Sequence, residues 1–265
     1  MARIFAVTNQ KGGVGKTTTC VNLSASLAAT KRKILMVDLD PQGNATMGSG
    51  IDKNEVDRSA YDVLTKKSPI EDVIVKSEAA GFDVIPANGD VTAAEVELLN
   101  EIGREHRLRL ALNKVRDNYD FILIDCPPSL NMLTVNALSA SDSVIIPMQC
   151  EYYALEGLAA LMNTIEQIKE TINPSLEIEG ILRTMYDPRN SLTRDVSSQL
   201  HEYFGDQVYG SVIPRNIRLA EAPSYGLPAL KYDKGSKGAL SYLALAGEVV
   251  RKTKARAKKN AEAMV

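Results

Sequence analysis

The sequence Lys11-Gly12-Gly13-Val14-Gly15-Lys16-Thr17-Thr18 decides the fold, because it follows the apolar run Ile4-Phe5-Ala6-Val7 and opens a helix-forming segment. A strand, a glycine-rich turn and a helix in this order form a phosphate cradle. Backbone N–H groups and the positive helix end point at one position, and glycines let the chain come close to the anion. We expect Lys16 to reach the outer phosphates and the Thr17 hydroxyl to hold Mg²⁺.

The loop departs from the pattern G-x-x-x-x-G-K-[ST] at its first position. Gln10 stands where the first glycine belongs, and a second lysine, Lys11, follows it. A solvated glycine-rich loop is the alternative interpretation. The strand before the loop and the helix after it favour nucleotide binding.

Composition restricts the class of protein. The chain has 265 residues, of which 45% are hydrophobic and 24% charged, as in soluble globular proteins. No apolar run approaches the ~18–20 residues of a membrane span, and no signal segment is evident, so we expect a cytoplasmic protein. Three cysteines without a C-x-x-C pair indicate neither a zinc site nor a disulfide framework.

The charge balance does not indicate an overall nucleic-acid binder, because the net charge is −2. Any DNA contact therefore requires a local basic patch. One candidate lies near the end of the sequence, where a single opposing acid, Glu262, accompanies six cations: Arg251, Lys252, Lys254, Arg256, Lys258 and Lys259.

The apolar pattern predicts alternating strands and helices. Strands are expected at 4–8, 34–37, 82–85, 121–124, 144–146, 178–182 and 208–213. Helices are expected at 17–29, 61–64, 92–99 (with Thr92 and Glu95 as a capping pair), 105–116, 155–172 and 241–259. Apolar runs without alternation are typical of strands covered on both faces. The sequence therefore predicts an α/β fold, a doubly wound, mostly parallel sheet with helices on both faces. We expect one domain over residues 1–252 and a frayed basic tail over 253–265.

Three aspartates follow predicted strands, and active sites of such sheets lie at the carboxyl ends of the strands. Asp125 ends an apolar strand, as a Walker B aspartate does, and is expected to hold Mg²⁺ through water. Asp40 begins a polar loop and is a candidate for orienting a water molecule toward the γ-phosphate. Asp38 lies deeper and is expected to support Mg²⁺ indirectly or to orient the loop. Asp125 and Asp40 each have an alternative interpretation as a turn carboxylate.

Lys11 lies too early in the loop to duplicate Lys16 on the same nucleotide. A long cation there would project across the mouth of the site and meet phosphates held by a second copy of the chain. It would then supply charge in trans, as an arginine finger does. Its alternative interpretation is a solvated lysine.

The motifs together resemble the ParA/MinD class of deviant Walker A ATPases. The phosphate loop, Asp38-Leu-Asp40-Pro-Gln-Gly-Asn44-Ala and Ile124-Asp125-Cys-Pro-Pro128-Ser carry this resemblance. The segments Gln149-Cys-Glu-Tyr-Tyr-Ala-Leu-Glu-Gly157, Thr184-Met-Tyr-Asp187 and Ile213-Pro-Arg-Asn-Ile-Arg-Leu-Ala-Glu-Ala-Pro223 resemble its chromosomal ParA (Soj) branch. The likeness extends over residues 2–251.

The resemblance implies an ATPase with the P-loop NTPase fold that forms an ATP-sandwich homodimer with Mg²⁺. Gly12 would lie where the subunits meet, with Lys11 crossing to the partner's phosphates. Lys16 would bind β- and γ-phosphate in cis, and Asp40 would position the water. The family segment that lines adenine corresponds to Pro214 and Asn216.

The same resemblance implies the partners of the chain. The ATP dimer would bind double-stranded DNA of the bacterial nucleoid without reading its sequence. Hydrolysis stimulated by a ParB-type centromere-binding protein would release it, and this cycle would segregate chromosomes or plasmids. Arg189 and Arg218 match basic positions that the family uses at the DNA surface, and Arg183 and Arg194 are candidate neighbours.

A MinD-like, membrane-associated division-site ATPase is the nearest alternative. It would need a C-terminal amphipathic helix with bulky apolar residues, and residues 252–265 offer only Met264 and Val265. A nitrogenase-type reductase would need paired cysteines, and a DNA-binding scaffold would not need Lys11 or Asp40. Sequence does not tell which replicon or centromere is served.

Overall fold

The fold is an eight-stranded sheet with helices on both faces, in a computed structural model that describes residues 1–263. Met264 and Val265, named above in weighing the membrane alternative, lie outside the described residues. The strands are β1 (Arg3–Val7), β2 (Ile34–Asp38), β3 (Val75–Ser77), β4 (Phe82–Ile85), β5 (Phe121–Asp125), β6 (Ser143–Gln149), β7 (Glu177–Tyr186) and β8 (Val208–Pro214).

Eleven α-helices connect or flank these strands within residues 1–263. They are α1 (Lys16–Ala29), α2 (Asn44–Gly48), α3 (Ala60–Leu64), α4 (Val91–Leu98), α5 (Arg107–Val115), α6 (Met132–Ala140), α7 (Ala154–Thr171), α8 (Ser191–Phe204), α9 (Ile217–Glu221), α10 (Ala229–Tyr232) and α11 (Lys237–Ala263).

The strand order is β3-β4-β2-β5-β1-β6-β7-β8, and every neighbouring pair is parallel except β3 with β4. One apolar layer packs α5, α6 and α7 on one face, with Leu112, Leu133 and Leu161 at its centre. The other packs α1 and α11 on the opposite face, through Leu23 and Leu245. The predicted doubly wound, mostly parallel sheet is therefore confirmed.

Register places the site at one edge of the sheet. Val7 of β1 and Asp38 of β2 both pair with Asp125 of β5, so the carboxyl ends of three adjacent strands meet. The loops that follow these strands leave from the same edge. Residues distant in sequence thus converge where parallel sheets bind ligands.

Several predicted boundaries differ from the structure. Strand β6 continues through Pro147 to Gln149, beyond the predicted end at residue 146. Pro147 lies beyond the last pairing with β1, so its missing N–H breaks no ladder bond on that side. Helix α4 begins at Val91, and the capping pair expected from Thr92 and Glu95 is wrong, because Thr92 already lies inside the helix.

The predicted fraying after Lys252 does not occur in the described residues, where α11 continues through Ala263. Arg256 bridges from α11 to Glu177 and to the buried Glu179 of β7, and Arg3 of β1 approaches Glu179 at 3.6 Å. These contacts hold the basic end of the helix against the sheet. The separate role expected for residues 253–265 stays a prediction.

We expect Arg256→Ala to lower the free energy of unfolding by about 1–3 kcal/mol, because it removes a charged partner from a buried carboxylate. Urea unfolding measures the change. Lys254→Ala, which removes an exposed cation from the same helix, is the matched control and should change the value little. Equal effects of the two substitutions would show that Glu179 does not depend on Arg256.

Candidate nucleotide site

The phosphate loop occupies the turn between β1 and α1. Gly13 and Gly15 have φ values of 74° and 88°, a region that side chains rarely adopt, and α1 begins directly after them. A Cβ on Gly12 would meet open space, so the loop surface there is accessible. The N-terminal turn of α1 therefore presents its free N–H groups beside the loop, as an anion site requires.

Three residues outside the predicted site hold this loop in place. Asn9 accepts a hydrogen bond from Lys11 N at 3.0 Å. The buried Thr184 hydroxyl donates to the carbonyl of Val14 at 2.7 Å, and Gln149 donates to the carbonyl of Gly13 at 3.4 Å. Thr184 and Gln149 belong to segments that carried the family resemblance, and that was their only signal in the sequence.

Lys16 turns back into the loop that precedes it. Its Nζ donates to the carbonyl of Lys11 at 3.2 Å, and the residue is 7% exposed. Burial lowers the pKa of Lys16, whereas the charges of Asp125 and Asp40 act in the opposite direction. A buried cation beside a helix N-terminus is suited to phosphate oxygens.

Thr17 and Asp125 are brought together as predicted. The Thr17 hydroxyl donates to Asp125 Oδ2 at 2.7 Å. The other carboxylate oxygen, Oδ1, is buried without a hydrogen-bond partner. Burial, and then the charge of Asp38, raise the pKa of Asp125 well above its usual range. The pair offers a hydroxyl oxygen and a carboxylate oxygen without a hydrogen-bond partner, and oxygen ligands of this kind suit a hard divalent cation.

Asp38 organises the loop after β2. Its carboxylate is fully buried and accepts from Asp40 N at 3.1 Å, Thr46 N at 2.8 Å and Thr46 Oγ1 at 2.8 Å. Burial raises its pKa to about 6, although the Thr46 hydrogen bonds oppose this shift. Both carboxylate oxygens of Asp38 therefore already accept hydrogen bonds from Asp40 and Thr46, and the two roles expected for Asp38 stay predictions.

Asp40 lies at the same strand edge and is only partly buried. Its Oδ1 accepts from Gln42 N at 3.0 Å, which fixes the carboxylate at the start of the loop. Its charge raises the pKa of both Lys16 and Asp125, so all three groups share one electrostatic environment. A positioned carboxylate at the mouth of a phosphate site can orient a water molecule.

Lys11 does not face the phosphate site of its own chain. Its Nζ forms an ion pair with Glu151 at 2.6 Å, and the two side chains are 47% and 52% exposed. The loop mouth therefore carries a solvent-accessible cation. Sequence reasoning did not identify Glu151 as its partner.

A cavity of about 210 Å³ adjoins the loop and contains both residues expected to line adenine. Pro214 and Asn216 form part of its wall, and Thr18 borders it from the loop side. Asn216 Oδ1 accepts from Arg218 N at 3.1 Å and so caps α9. The wall also contains residues that sequence reasoning did not assign to it, among them Met185, Ile213, Leu219 and Tyr242.

The arginines expected at a DNA surface have different environments. Arg183 is 7% exposed, and it donates to Ser197 and to the carbonyl of Tyr209. Its prediction as a DNA contact is therefore wrong, because a buried guanidinium that already donates to Ser197 and Tyr209 cannot reach a phosphate. Arg183 lies in β7, one residue past the end predicted for that strand, so its burial was not evident from the sequence. Arg189 and Arg218 are 88% and 46% exposed and pair with Asp187 and Glu221. Arg194 donates to the carbonyl of Pro188.

Among residues 1–263, none of the helices combines the length and apolar character needed to cross a bilayer.

Comparison with known proteins follows this geometry. A family model described as an AAA domain matches residues 2–178. The chromosome partitioning protein ParA of Caulobacter vibrioides is 51% identical over 98% of this chain and 98% of its own length. The sporulation initiation inhibitor protein Soj of Bacillus subtilis is 54% identical over 94% of this chain and 98% of its own. The chromosome-partitioning ATPase Soj of Treponema pallidum is 48% identical over 94% and 98%.

Solved structures agree in fold. Cobyrinic acid a,c-diamide synthase from Mycobacterium smegmatis, with bound ADP and magnesium, matches with a TM-score of 0.84 and 37% identity over 96% of each chain. The cell division ATPase MinD of Pyrococcus furiosus matches with a TM-score of 0.79 and 28% identity over 96% of this chain and 100% of its own.

The MinD likeness concerns structure at lower identity, whereas the relatives near 50% identity carry partitioning names, so the MinD-like alternative is not favoured. The phosphate loop with its second lysine and the matches over nearly whole chains indicate the same family. The chain belongs to the ParA/Soj family of chromosome-partitioning ATPases.

Proposed function

We propose that this chain is an ATP-dependent DNA-partitioning protein. With ATP and Mg²⁺ it forms a homodimer in which each protomer contributes Lys11 to the nucleotide of its partner. The dimer binds double-stranded DNA of the nucleoid without sequence preference, in the cytoplasm of a bacterium. A ParB-type centromere-binding protein stimulates hydrolysis, which releases the dimer and drives segregation of a chromosome or plasmid.

The observation that carries this proposal is the position of Lys11. Lys16 lies buried in the loop, while Lys11 lies at the mouth, exposed and paired to Glu151. An exposed ion pair contributes only ~0–1 kcal/mol, so the lysine is readily drawn to a stronger charge. The triphosphate of a second protomer is such a charge, and Gly12 leaves open space for close approach.

The residues present fit Mg²⁺-ATP. Thr17 and Asp125 would hold the metal, since Asp125 Oδ1 is buried without a partner and its carboxylate lies among other acids. The ion would neutralise charge on the phosphates. Lys16 and the N–H groups of α1 would bind phosphate oxygens, and the cavity beside Asn216 would take the base.

Asp40 is the proposed group that orients the attacking water. Phosphoryl transfer requires positioning and charge neutralisation more than covalent chemistry. Asp40 is held by Gln42 N and shares the electrostatic environment of Lys16, so a water bonded to it would lie near the phosphate site.

Arg189 and Arg218 are the proposed DNA contacts. Binding without sequence preference needs phosphate contacts only. Both side chains are exposed, and their ion pairs with Asp187 and Glu221 are of the weak surface type. A dimer presents each arginine twice, so weak contacts add as in bivalent binding and affinity becomes dependent on ATP.

We expect Asp40→Ala to keep ATP binding and ATP-dependent DNA binding but to lower turnover by about 10²-fold or more, because the water loses its orienting carboxylate. Phosphate release measures turnover. Asp57→Ala, which removes an exposed carboxylate elsewhere, should leave it unchanged. Normal hydrolysis by the Asp40 variant would remove that residue from the mechanism.

We expect Lys11→Ala to abolish the ATP-dependent increase in mass, while ATP still binds to the monomer, because the substitution removes the charge shared between protomers. Light scattering with ATP, with ADP and without nucleotide measures this. Lys33→Ala is the control, because it removes a cation at the amino end of β2, away from the phosphate loop, and should leave the increase in mass unchanged. A Lys11 variant that still dimerises and hydrolyses ATP would contradict the proposed sandwich.

We expect Arg189→Ala to weaken DNA binding equally on unrelated sequences and to lower the salt slope by about one unit per lost phosphate contact. Titration at two salt concentrations measures both. Arg183→Ala is the contrasting variant. It should lower the unfolding midpoint, because Ser197 and the carbonyl of Tyr209 would lose their buried hydrogen-bond donor. Unchanged binding by the Arg189 variant would exclude it from the DNA surface.

A further inference from the structure

The first turns of α11 form one wall of the base cavity. Tyr242 borders the cavity, and its hydroxyl hydrogen-bonds Thr19 Oγ1 at 3.0 Å, with both residues buried. Thr19 belongs to α1, the helix that begins at the phosphate loop. A hydrogen bond therefore links α1, which would bind phosphate, to α11, which borders the base cavity.

Gly238, in the first turn of α11, allows this wall to approach α9. A Cβ at Gly238 would lie 2.6 Å from Leu219 Cγ, 2.8 Å from Leu219 Cδ1 and 3.0 Å from Asn216 Oδ1. The two distances to Leu219 are shorter than real Cβ contacts, and the distance to Asn216 is shorter than most of them. The φ angle of Gly238 is not in the left-handed region, so the requirement for glycine here is one of space.

The two residues that a Cβ would strike both line the base cavity. Leu219 is 8% exposed and packed into the apolar layer with α1 and α11, so it has little room to withdraw. Asn216 uses Oδ1 to cap α9, which leaves its amide N–H groups as the part able to donate to an acceptor on a base. Displacing α9 would move the apolar contact and the polar contact together.

We propose that Gly238 is a positioning residue for the nucleotide base. It sets the separation between α11 and α9 and thereby holds Asn216 and Leu219 at the distance that a planar base requires. The inference rests on the proposed ATP binding and goes beyond it, because it assigns base affinity to a residue that touches no part of the nucleotide.

Gly238→Ala tests this. Calorimetry with Mg²⁺ should show ATP and ADP bound about tenfold more weakly, because overpacking displaces the cavity wall. Competition by inorganic tripolyphosphate should be unchanged, since the phosphate loop is not struck. Helix propensity alone favours alanine over glycine, so a purely structural role gives no loss of nucleotide affinity.

Gly247→Ala is the matched control in the same helix, where a Cβ would meet only the flexible Arg251 guanidinium at 3.4 Å. It should bind ATP as the original chain does. Added to a Leu219→Ala background, Gly238→Ala should cost little further ATP affinity, because the Leu219 atoms that its Cβ would strike are then gone.

Three outcomes with these variants overturn the inference: unchanged ATP affinity in Gly238→Ala, an equal loss for tripolyphosphate, or an undiminished further loss when Gly238→Ala is added to Leu219→Ala. If the original chain binds tripolyphosphate but shows no preference for ATP, the cavity is not a base site and this inference fails alone. If it binds neither, the proposed function fails as well.

Discussion

Negative charge gathered at one edge of the sheet is the constraint on which the site depends. The parallel register of β1, β2 and β5 forces the ends of β2 and β5 together, so Asp38 and Asp125 are both buried there. Burial raises the pKa of both carboxyl groups, although the charge of Lys16 opposes the shift at Asp125. For Asp38, a folded pKa of about 6 against 3.8 means that its contribution to stability falls as pH rises between these values. Any cation that binds only the folded chain offsets this cost by mass action.

The phosphate loop after β1 carries two lysines, and their environments differ. Lys16 is enclosed and close to the carboxylates, whereas Lys11 faces solvent and pairs with Glu151. Lys16 is therefore enclosed within its own chain, whereas Lys11 remains accessible to a second copy of the chain. Hydrogen bonds from Thr184 of β7 and Gln149 of β6 hold the same loop in place.

The sequence allowed the sheet, the loop and the acidic strand ends to be predicted, because buried parallel strands are continuous apolar runs and the loop chemistry is local. Arg183 could not be assigned correctly in this way, since its burial depends on Ser197 and Tyr209, which other elements bring to it. Helix α6 was not predicted, because it is buried on most sides and so lacks an amphipathic pattern. Helix α8 was missed although Val196 and Leu200 lie at helical spacing on its buried face. The base cavity draws its wall from segments far apart along the chain. Tertiary packing decides the burial of Arg183 and the shape of this cavity, and no local pattern encodes them.

Helix α11 runs from the base cavity to the opposite end of the sheet. It is 27 residues long, borders the cavity at Tyr242, packs Gly238 against α9, and forms an ion pair with Glu179 through Arg256. At 1.5 Å per residue, about 27 Å separates Gly238 from Arg256, so a tilt of about 5° at one end displaces the other by about 2 Å. The ion pair between Arg256 and Glu179 therefore opposes any tilt of α11 relative to the sheet.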